Sequence, residues 1–525
     1  MIFSSRMSRT IAGGGWTSDW VRPERLPAGR LDRSKIRSSF GEAMFVGRRT
    51  ELDLLTKQLD HVKRTGGGRS VAIRGRRQVG KSRLVQELCD QVELPYCFYT
   101  AVKGASSVEA VGHFLGALRD SSLLTSGGRD LLPSQPTAGG WGDMLRVLAG
   151  VLPDTPSVVV FDELPWISEQ DATFDGHLQV AWDRLLSSKP VLLLLLGSDL
   201  HMMQRFTEYD RPFYGRATNM VLGPFNLGET AAVTGLSGAD AIDAHLITGG
   251  LPGVALEWAP GTPPADFLRQ EISNKTSALF TVPEQSLASE FPAPDTARRI
   301  LEAVGGAGGR TFSNIAAAAG DRGGPVSSGT LSPLLHRLVE EKQILTVDKP
   351  LSTKPSKLAQ YRIADSNLRL YLAILRDVHQ LVLRDRTAAA RAVLDSRWST
   401  WRGNAVEPII RDALAISAGA GRLPWADTWE VGAWWNRQFN PEIDLVGVDR
   451  TPVASRTAFA GSIKWQEGPF DRRHLDELRR DAPLIPGFQL GVSGLVVVSR
   501  SGVDLPADSV DLVWGPDDIV QTWSA

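Results

Sequence analysis

One short segment carries the clearest chemistry in the sequence. Residues 75–82 read Gly-Arg-Arg-Gln-Val-Gly-Lys-Ser and fit the phosphate-binding loop pattern G-x-x-x-x-G-K-[ST] at every position. The N–H groups of such a loop, together with a helix N-terminus, form an anion site. We expect Lys81 to reach the β- and γ-phosphates of a nucleotide and Ser82 to ligate Mg²⁺. The expected nucleotide contacts in this loop are Gly75, Arg76, Arg77, Gln78, Val79, Gly80, Lys81, Ser82 and Arg83.

A second segment supplies the acidic groups that nucleotide hydrolysis needs. Residues 157–161 read Ser-Val-Val-Val-Phe, which is typical of a buried strand, and Asp162 and Glu163 follow directly. Open α/β sheets place ligand-contacting groups at the carboxyl ends of their strands. We expect Asp162 to hold Mg²⁺ through its water shell and Glu163 to act as the general base on the attacking water. On its own an Asp-Glu pair also fits a solvated turn, but the matching loop upstream favours the functional interpretation.

The elements around these motifs predict an α/β fold with a parallel P-loop sheet. Short apolar runs alternate with helix-length intervals, which is typical of a sheet covered on both faces. The predicted strands are 70–74, 96–102, 157–161, 191–196 and 218–222.

Changes of pattern divide the chain into five regions. We expect a disordered tail, a P-loop ATPase core, a helical lid, a winged helix-turn-helix with linking helices, and a C-terminal α/β domain. In chain order these regions are 1–43, 44–225, 226–290, 291–400 and 401–525.

Bulk composition excludes some classes of protein. The formal net charge is −1, so no overall field draws the chain to nucleic acid or to a membrane. Its longest apolar run, 191–196, is too short to span a bilayer. The two cysteines, Cys89 and Cys97, have neither disulfide-scaffold nor metal-site spacing. We therefore expect buried thiols in a cytoplasmic protein.

The order of several short motifs resembles the archaeal-type P-loop ATPase family, in the signal-transduction branch of the AAA-like ATPases. The resemblance covers roughly residues 44–500. The motifs are Phe45-Val46-Gly47-Arg48, the phosphate loop, VVVFDELPW from Val158 onward, LLLLLGSD around Ser198, Phe213-Tyr214-Gly215-Arg216, and Gly249-Gly250-Leu251-Pro252.

This resemblance implies further site residues. Gly47 and Arg48 would lie near the adenine edge, and Pro252 would pack near the base from the lid. Ser198 is similar to the polar sensor beside the γ-phosphate, although it also fits a helix cap. Arg216 is similar to an arginine that stabilises transferring charge, on its own nucleotide or a neighbour's, although a surface salt bridge also explains it. The family's sheet order would place strand 191–196 between the loop strand and the Asp162 strand.

Residues 295–365 show the element order of a winged helix-turn-helix. Two helices are expected at 311–319 and 328–339, followed by two strands around a polar loop. DNA binding through this unit and a role in packing or protein binding both remain open. The residues placed for phosphate or DNA contact are Ser328, Thr330, Ser332, His336 and Arg337 on the second helix, and Lys349, Lys354 and Lys357 in the wing.

The resemblance also implies a C-terminal domain similar to PD-(D/E)XK restriction nucleases. Glu407, Asp444 and Lys464 stand at the matching positions of that metal site. The chain has Ser462 where the pattern requires glutamate, and an uncharged hydroxyl is a poor replacement for a carboxylate as a metal ligand. We therefore expect a retained fold with a vestigial site and little or no cleavage.

These motifs favour an ATP-binding, slowly hydrolysing P-loop ATPase that acts as a nucleotide-dependent switch. Its expected cofactors are ATP and Mg²⁺. One alternative is an ATP-regulated, metal-dependent nuclease, and another is a DNA-binding scaffold that holds ATP without turnover. The candidate partners are DNA, a protein partner or a second copy of the chain.

Overall fold

The computed structural model describes residues 45–124, 126–134, 140–291, 295–306 and 310–523. The tail predicted at 1–43 lies outside these residues.

A parallel sheet of five strands is built from the apolar runs that the sequence suggests. The strand order is β2-β3-β4-β1-β5, so β4 lies between β1 and β3 as predicted. Parallel strands bring their carboxyl ends to one edge, where β1 leads into the phosphate loop and β3 ends at Asp162. The strands are β1 Arg69–Arg74, β2 Tyr96–Thr100, β3 Ser157–Asp162, β4 Val191–Gly197 and β5 Thr218–Val221.

Strands β3 and β4 are buried along their whole length, because helices cover both faces of this sheet. A 3₁₀ turn at Leu186–Ser188 precedes β4. The helices are Arg49–Thr65, Lys81–Val92, Ser107–Asp120, Ser126–Arg129, Gly140–Val151, Leu164–Gln170, Phe174–Arg184 and Leu200–Phe206.

Packed aromatic side chains fix the end of β3. Phe161 lies 5.0 Å from Phe114 and 5.9 Å from Tyr99 between ring centroids, and Trp141 and Phe174 complete the cluster. All five side chains are at most 2% exposed. Interiors packed this closely leave side chains little freedom, so the residue that follows Phe161 is held firmly at the sheet edge.

Five helices follow β5 in the region where a lid is expected. Gly250 adopts a positive φ of 67°, and a Cβ there would lie 2.1 Å from the Phe225 carbonyl oxygen, so only glycine fits this turn. The N–H of Phe225 donates back to the Gly250 carbonyl at 2.7 Å. The lid helices are Leu227–Thr234, Gly238–Thr248, Pro252–Ala255, Pro264–Glu271 and Ala278–Glu290.

The middle of the chain has three helices followed by an antiparallel strand pair, in the order that the sequence suggests. The pair consists of β6 Leu345–Asp348 and β7 Gln360–Ile363. Short π-helical segments at Arg337–Glu341 and Tyr371–Leu375 extend two of the helices. The helices of this region and those that follow it are Thr296–Gly305, Phe312–Ala318, Ser328–His336, Ser366–Leu370, Arg376–Leu383 and Thr387–Ala405.

The C-terminal part is a mixed sheet with the order β12-β11-β10-β9-β8. Strands β8, β9 and β10 are antiparallel neighbours, whereas β10, β11 and β12 are parallel. Its elements are helix Glu407–Gly419, β8 Glu430–Trp435, β9 Glu442–Val448, β10 Thr457–Lys464, helix Arg472–Asp481, β11 Gly494–Ser499, β12 Leu512–Trp514 and helix Pro516–Gln521, with 3₁₀ turns at Ala482–Leu484 and Ala507–Ser509.

The described chain from Val46 onward packs as one unit. Lid residues Leu227 and Ile242 share one apolar core with Phe459 and Ile519 of the C-terminal part. The loop between β6 and β7 is also docked, because the Leu351 N–H donates to the Ala433 carbonyl of β8 at 2.9 Å. The predicted regions are therefore joined by shared cores.

Both cysteines are buried, as predicted, and burial raises the pKa of each thiol to about 12. In the described residues, no helix combines the length and apolar character needed to cross a bilayer.

Candidate functional site

The phosphate loop joins β1 to helix Lys81–Val92. Only glycine fits at position 75, because a Cβ there would lie 2.3 Å from the Leu222 carbonyl oxygen. Gly80 takes a φ of 91°, a conformation open to glycine, directly before the helix. The Lys81 side chain is only 6% exposed, and its Nζ donates to the carbonyl oxygens of Gly75 at 2.7 Å and Arg76 at 3.1 Å. The loop therefore closes around its own lysine.

Backbone N–H groups of the loop are free to receive an anion. In the described part of the chain, none of the N–H groups of residues 77–82 donates a hydrogen bond. Burial lowers the pKa of Lys81, while the nearby Glu163 and Asp162 oppose this shift. Free N–H groups, a helix N-terminus and an ammonium group at one point match the chemistry of a polyphosphate. The residues therefore fit a nucleoside triphosphate.

Asp162 faces the loop across the sheet edge. The Ser82 Oγ donates to the Asp162 Oδ2 at 2.7 Å. Asp162 is 5% exposed, and burial raises the pKa of its carboxyl group, against the lowering effect of the Ser82 hydrogen bond. The described residues contain no group of three or more acidic, His or Cys side chains that could hold a metal. Mg²⁺ typically uses only one or two protein ligands beside substrate phosphates, so the Ser82–Asp162 pair fits it.

Glu163 is held beside the loop by Ser198. Glu163 has a positive φ of 55°, which is uncommon outside glycine. Its Oε2 accepts from the Ser198 O–H at 2.8 Å and from the Ser198 N–H at 3.3 Å. Helix Leu200–Phe206 is capped by Asp199, whose side chain accepts from the Met202 N–H. Ser198 is therefore not the helix cap, and its hydroxyl is committed to Glu163.

The buried Arg48 side chain holds the phosphate loop through backbone carbonyl oxygens. This side chain is 4% exposed and donates to the carbonyl oxygens of Val79 at 2.9 Å and Gly223 at 2.7 Å. Its guanidinium also lies 4.8 Å from the Phe225 ring centroid. Gly47 precedes it with a φ of 78°, and a Cβ there would lie 2.9 Å from a carboxylate oxygen of Glu229. Arg48 thus connects the first residues of the core with the phosphate loop and with Gly223, which follows β5.

Pro252 lies over the same loop. A Cβ added to Gly80 would be 3.8 Å from the Pro252 Cγ, so the first turn of helix Pro252–Ala255 contacts the loop. The structure therefore gathers Gly47, Arg48 and Pro252 with the loop at one edge of the sheet.

A cavity of about 240 Å³ opens beside the loop. Arg76, Arg77 and Ser198 line it from the core, and Lys342 lines it from the segment before β6. The Lys342 Nζ lies 3.5 Å from the Asp199 Oδ2. Residues far apart in sequence therefore enclose the space next to the loop.

The structure does not bring Arg216 to this site. Its guanidinium forms a bidentate ion pair with Asp183 at 2.8 Å, and its carbonyl oxygen accepts from the Ser70 hydroxyl. Ser70 lies near the start of β1, about 16 Å from Gly75 for five residues of strand. Arg216 precedes β5, which runs parallel to β1, so it lies at the opposite edge of the sheet. The expectation that Arg216 acts on the nucleotide of its own chain is therefore wrong. Its action on a neighbour's nucleotide remains a proposal.

The matching positions of the C-terminal domain are only partly assembled. The Glu407 carboxylate pairs with Arg411 at 2.8 Å. Burial raises the pKa of Glu407 to about 7; Arg411 opposes this shift and Asp444 adds to it. The Asp444 Oδ2 accepts from the Ser462 hydroxyl at 3.2 Å and from the Ile463 N–H at 2.8 Å. Lys464 lies on the same face of β10 as Ser462, because side chains alternate along a strand.

Sequence reasoning missed several residues that complete the site. Asp365 pairs with Arg76 of the loop at 3.4 Å, and Asp199 pairs with Lys342. Glu229 accepts from the Arg48 N–H and closes a capping box with Asn226. The Asn-x-x-Glu spacing signals that box in the sequence. The two interdomain pairs have no local signal, because their partners are distant along the chain.

Comparisons with protein families support the core prediction. Residues 44–194 match the family described as AAA ATPase domain, which confirms an AAA-like ATPase core at that level. Residues 371–478 match a family described as archaeal and bacterial proteins of unknown function. No curated protein matches the chain.

Several solved structures are similar to part of the chain. The Walker-type ATPase of Pyrococcus abyssi is 17% identical, with 62% of this chain and 96% of that chain covered, at a TM-score of 0.42. The ORC2 protein of Aeropyrum pernix, solved as ADPNP-ADP complexes, is 12% identical, with 65% and 97% covered, at a TM-score of 0.42. Cdc6p of Pyrobaculum aerophilum is 14% identical, with 68% and 99% covered, at a TM-score of 0.32.

Proposed function

We propose that this protein binds ATP with Mg²⁺ at the phosphate loop and hydrolyses it slowly as a nucleotide-dependent switch. The observation that carries the proposal is the contact between Ser82 and Asp162 at 2.7 Å, with the Lys81 amine beside it. The AAA ATPase domain match over residues 44–194 supports the same proposal.

Each side chain has a defined task in this proposal. The free N–H groups of residues 77–82 and the Lys81 ammonium hold the phosphates. Ser82 and Asp162 hold Mg²⁺, which supplies charge neutralisation on the phosphate oxygens when bound. Glu163 accepts the proton of the attacking water, and Ser198 keeps its carboxylate at the sheet edge.

Lys81→Ala tests nucleotide binding. We expect ATP affinity to fall about 100-fold or more, because charge-assisted hydrogen bonds to phosphate are lost. Equilibrium titration with ATP and Mg²⁺ measures the effect. Lys57→Ala is the matched control, since Lys57 is exposed on helix Arg49–Thr65 and should leave affinity unchanged. Equal affinity in the Lys81 variant and the control would contradict the assignment.

Glu163→Gln tests the general base. We expect ATP affinity to remain and phosphate release to fall by about 100-fold or more, within the usual contribution of general base catalysis. Ser198→Ala should lower turnover more mildly, by about 10-fold, because Glu163 stays present but loses its hydrogen bond. Normal hydrolysis by the Glu163 variant would remove it from this role. Absent turnover in the unmodified protein would favour the scaffold alternative.

Two ion pairs support the switch. Arg76 of the loop lies 3.4 Å from Asp365, and Asp199 beside Ser198 lies 3.5 Å from Lys342. Both partners flank the β6–β7 unit. A phosphate held by the loop would compete for the Arg76 guanidinium and so change this contact, which gives the nucleotide state a path to the middle of the chain.

We further propose that residues 296–363 form a winged helix that contacts DNA. All five polar residues placed on its second helix are exposed: Ser328, Thr330, Ser332, His336 and Arg337. The wing loop differs from expectation, because its backbone is docked on β8 and near Pro486, although Lys349, Lys354 and Lys357 remain exposed. The helix, rather than a free wing, is therefore the proposed contact.

Thr330→Glu tests this surface. We expect a glutamate there to weaken duplex DNA binding by about 10-fold, because it adds a negative charge facing the phosphate backbone. Fluorescence anisotropy with a labelled duplex at fixed salt measures the change. Glu substitution of the exposed Val180, on helix Phe174–Arg184, provides a control of equal charge. Identical binding by both variants would place any DNA contact elsewhere.

No observation favours the nuclease alternative. The Ser462 hydroxyl donates a hydrogen bond to the Asp444 Oδ2. Ser462 stands at the position where the metal site requires a second carboxylate. The element order helix, β8, β9, β10, helix, β11 supports the proposed nuclease-like fold, and we propose that it is retained without cleavage.

A further inference from the structure

A cavity of about 340 Å³ lies where the helix Thr296–Gly305 and the β7 strand meet the helices that follow them. This cavity is separate from the nucleotide loop. Four arginines line it, together with one face of Trp401: Arg310, Arg362, Arg369 and Arg397. Such a concentration of guanidinium groups around one small space requires compensating negative charge.

Two of the four arginines are compensated within the chain. Arg362 pairs with Asp348 at 3.2 Å, and Arg397 pairs with Asp377 at 2.8 Å. These two groups therefore add little net positive charge to the cavity.

The other two arginines lack such partners. Arg369 is 8% exposed, yet in the described part of the chain its guanidinium makes no hydrogen bond or ion pair and only faces the Trp401 ring at 5.8 Å. The Arg310 side chain likewise makes no ion pair within the described residues. Leaving a buried charge unpaired costs several kcal/mol.

The carboxylate that attracts Arg369 most strongly does not satisfy it. Glu407 attracts it from a distance, but its own partner is Arg411 at 2.8 Å. Burial, with Arg362 and Arg310 nearby, lowers the pKa of Arg369 to about 9. A buried arginine whose surroundings disfavour its charge is explained by an anion that enters from outside the chain.

We propose that this cavity binds a small phosphorylated molecule, with Arg369 as its anchor and Arg310 as a further contact. Guanidinium groups match phosphate oxygens with two parallel hydrogen bonds, and arginine is the residue favoured for such recognition. The volume lies at the lower end of the range for small-molecule sites, which suits a phosphomonoester or pyrophosphate better than a large ligand. Trp401 provides an apolar wall beside the charge.

The test uses the full chain with Lys81→Ala, which weakens the anion site of the nucleotide loop. Inorganic pyrophosphate is the probe, measured by calorimetric titration. We expect binding to persist in this parent and to weaken about 10-fold or more when Arg369→Met is added. Arg397→Met is the matched control on the same cavity; it is half-exposed and already paired, so it should change affinity less than about 3-fold.

Thermal unfolding separates binding from a structural role. Without pyrophosphate, Arg369→Met should melt at the same temperature as the parent or higher, because a buried unpaired charge has been removed. With pyrophosphate, the parent should be stabilised and the Arg369→Met chain should not. Arg369→Lys keeps the charge without the planar fork and should also weaken binding about 10-fold, which preserves the test if the Met variant fails to fold.

Competition identifies the source of the phosphate group. Displacement of pyrophosphate by AMP would support a small ligand. Displacement by a 5′-phosphorylated oligonucleotide alone would overturn the proposal, as would equal affinity for pyrophosphate in the parent and both Arg369 variants. Because the parent and the Arg369 variants all carry the same Lys81→Ala change, a difference between them reports on the cavity and not on the proposed nucleotide site.

Discussion

The contact between Ser82 and Asp162 is the constraint on which the rest of the site depends. It joins a loop after β1 to the end of β3, two strands that are separated by β4. The contact forms because parallel strands carry their carboxyl ends to one edge, and because the aromatic cluster around Phe161 fixes the end of β3. Without this alignment, the Asp162 carboxylate could not share a ligand with Ser82 of the loop.

Other parts of the chain brace this edge. Arg48 holds the loop from behind, Pro252 contacts it from the lid, and Asp365 reaches Arg76 from the middle of the chain. The lid shares its core with the C-terminal part through Leu227 and Phe459. Packed elements therefore connect the loop with the lid and with the middle of the chain, the contiguous contacts that the proposed switch would use.

The sequence predicts those features of the structure that depend on residues close together in the chain. The glycines at 75 and 80, the buried strand before Asp162 and the apolar run at 191–196 each determine their own geometry. The parallel sheet then dictated that Glu163 and Ser198 would meet, since β3 and β4 are neighbours. The same rule explains the error at Arg216, because a residue that precedes a parallel strand lies at the other edge.

Features set by distant packing were not predictable. The docking of the loop at 349–357 on β8 and the cluster around Arg369 bring together residues that no spacing connects. Strand β12 is three residues long, too short for its apolar residues to show a strand periodicity. Charge counts along the sequence likewise do not show that Arg362 is paired and Arg369 is not.

A double-mutant cycle on ATP affinity, using Ser82→Ala, Asp162→Asn and the combined variant, tests the central claim most directly. If both side chains hold one Mg²⁺ ion against bound ATP, the two substitutions should be non-additive by about 1 kcal/mol or more with Mg²⁺ present. In EDTA the coupling should fall below about 0.5 kcal/mol. Additive effects under both conditions would contradict a shared metal site at the edge where β1 and β3 end.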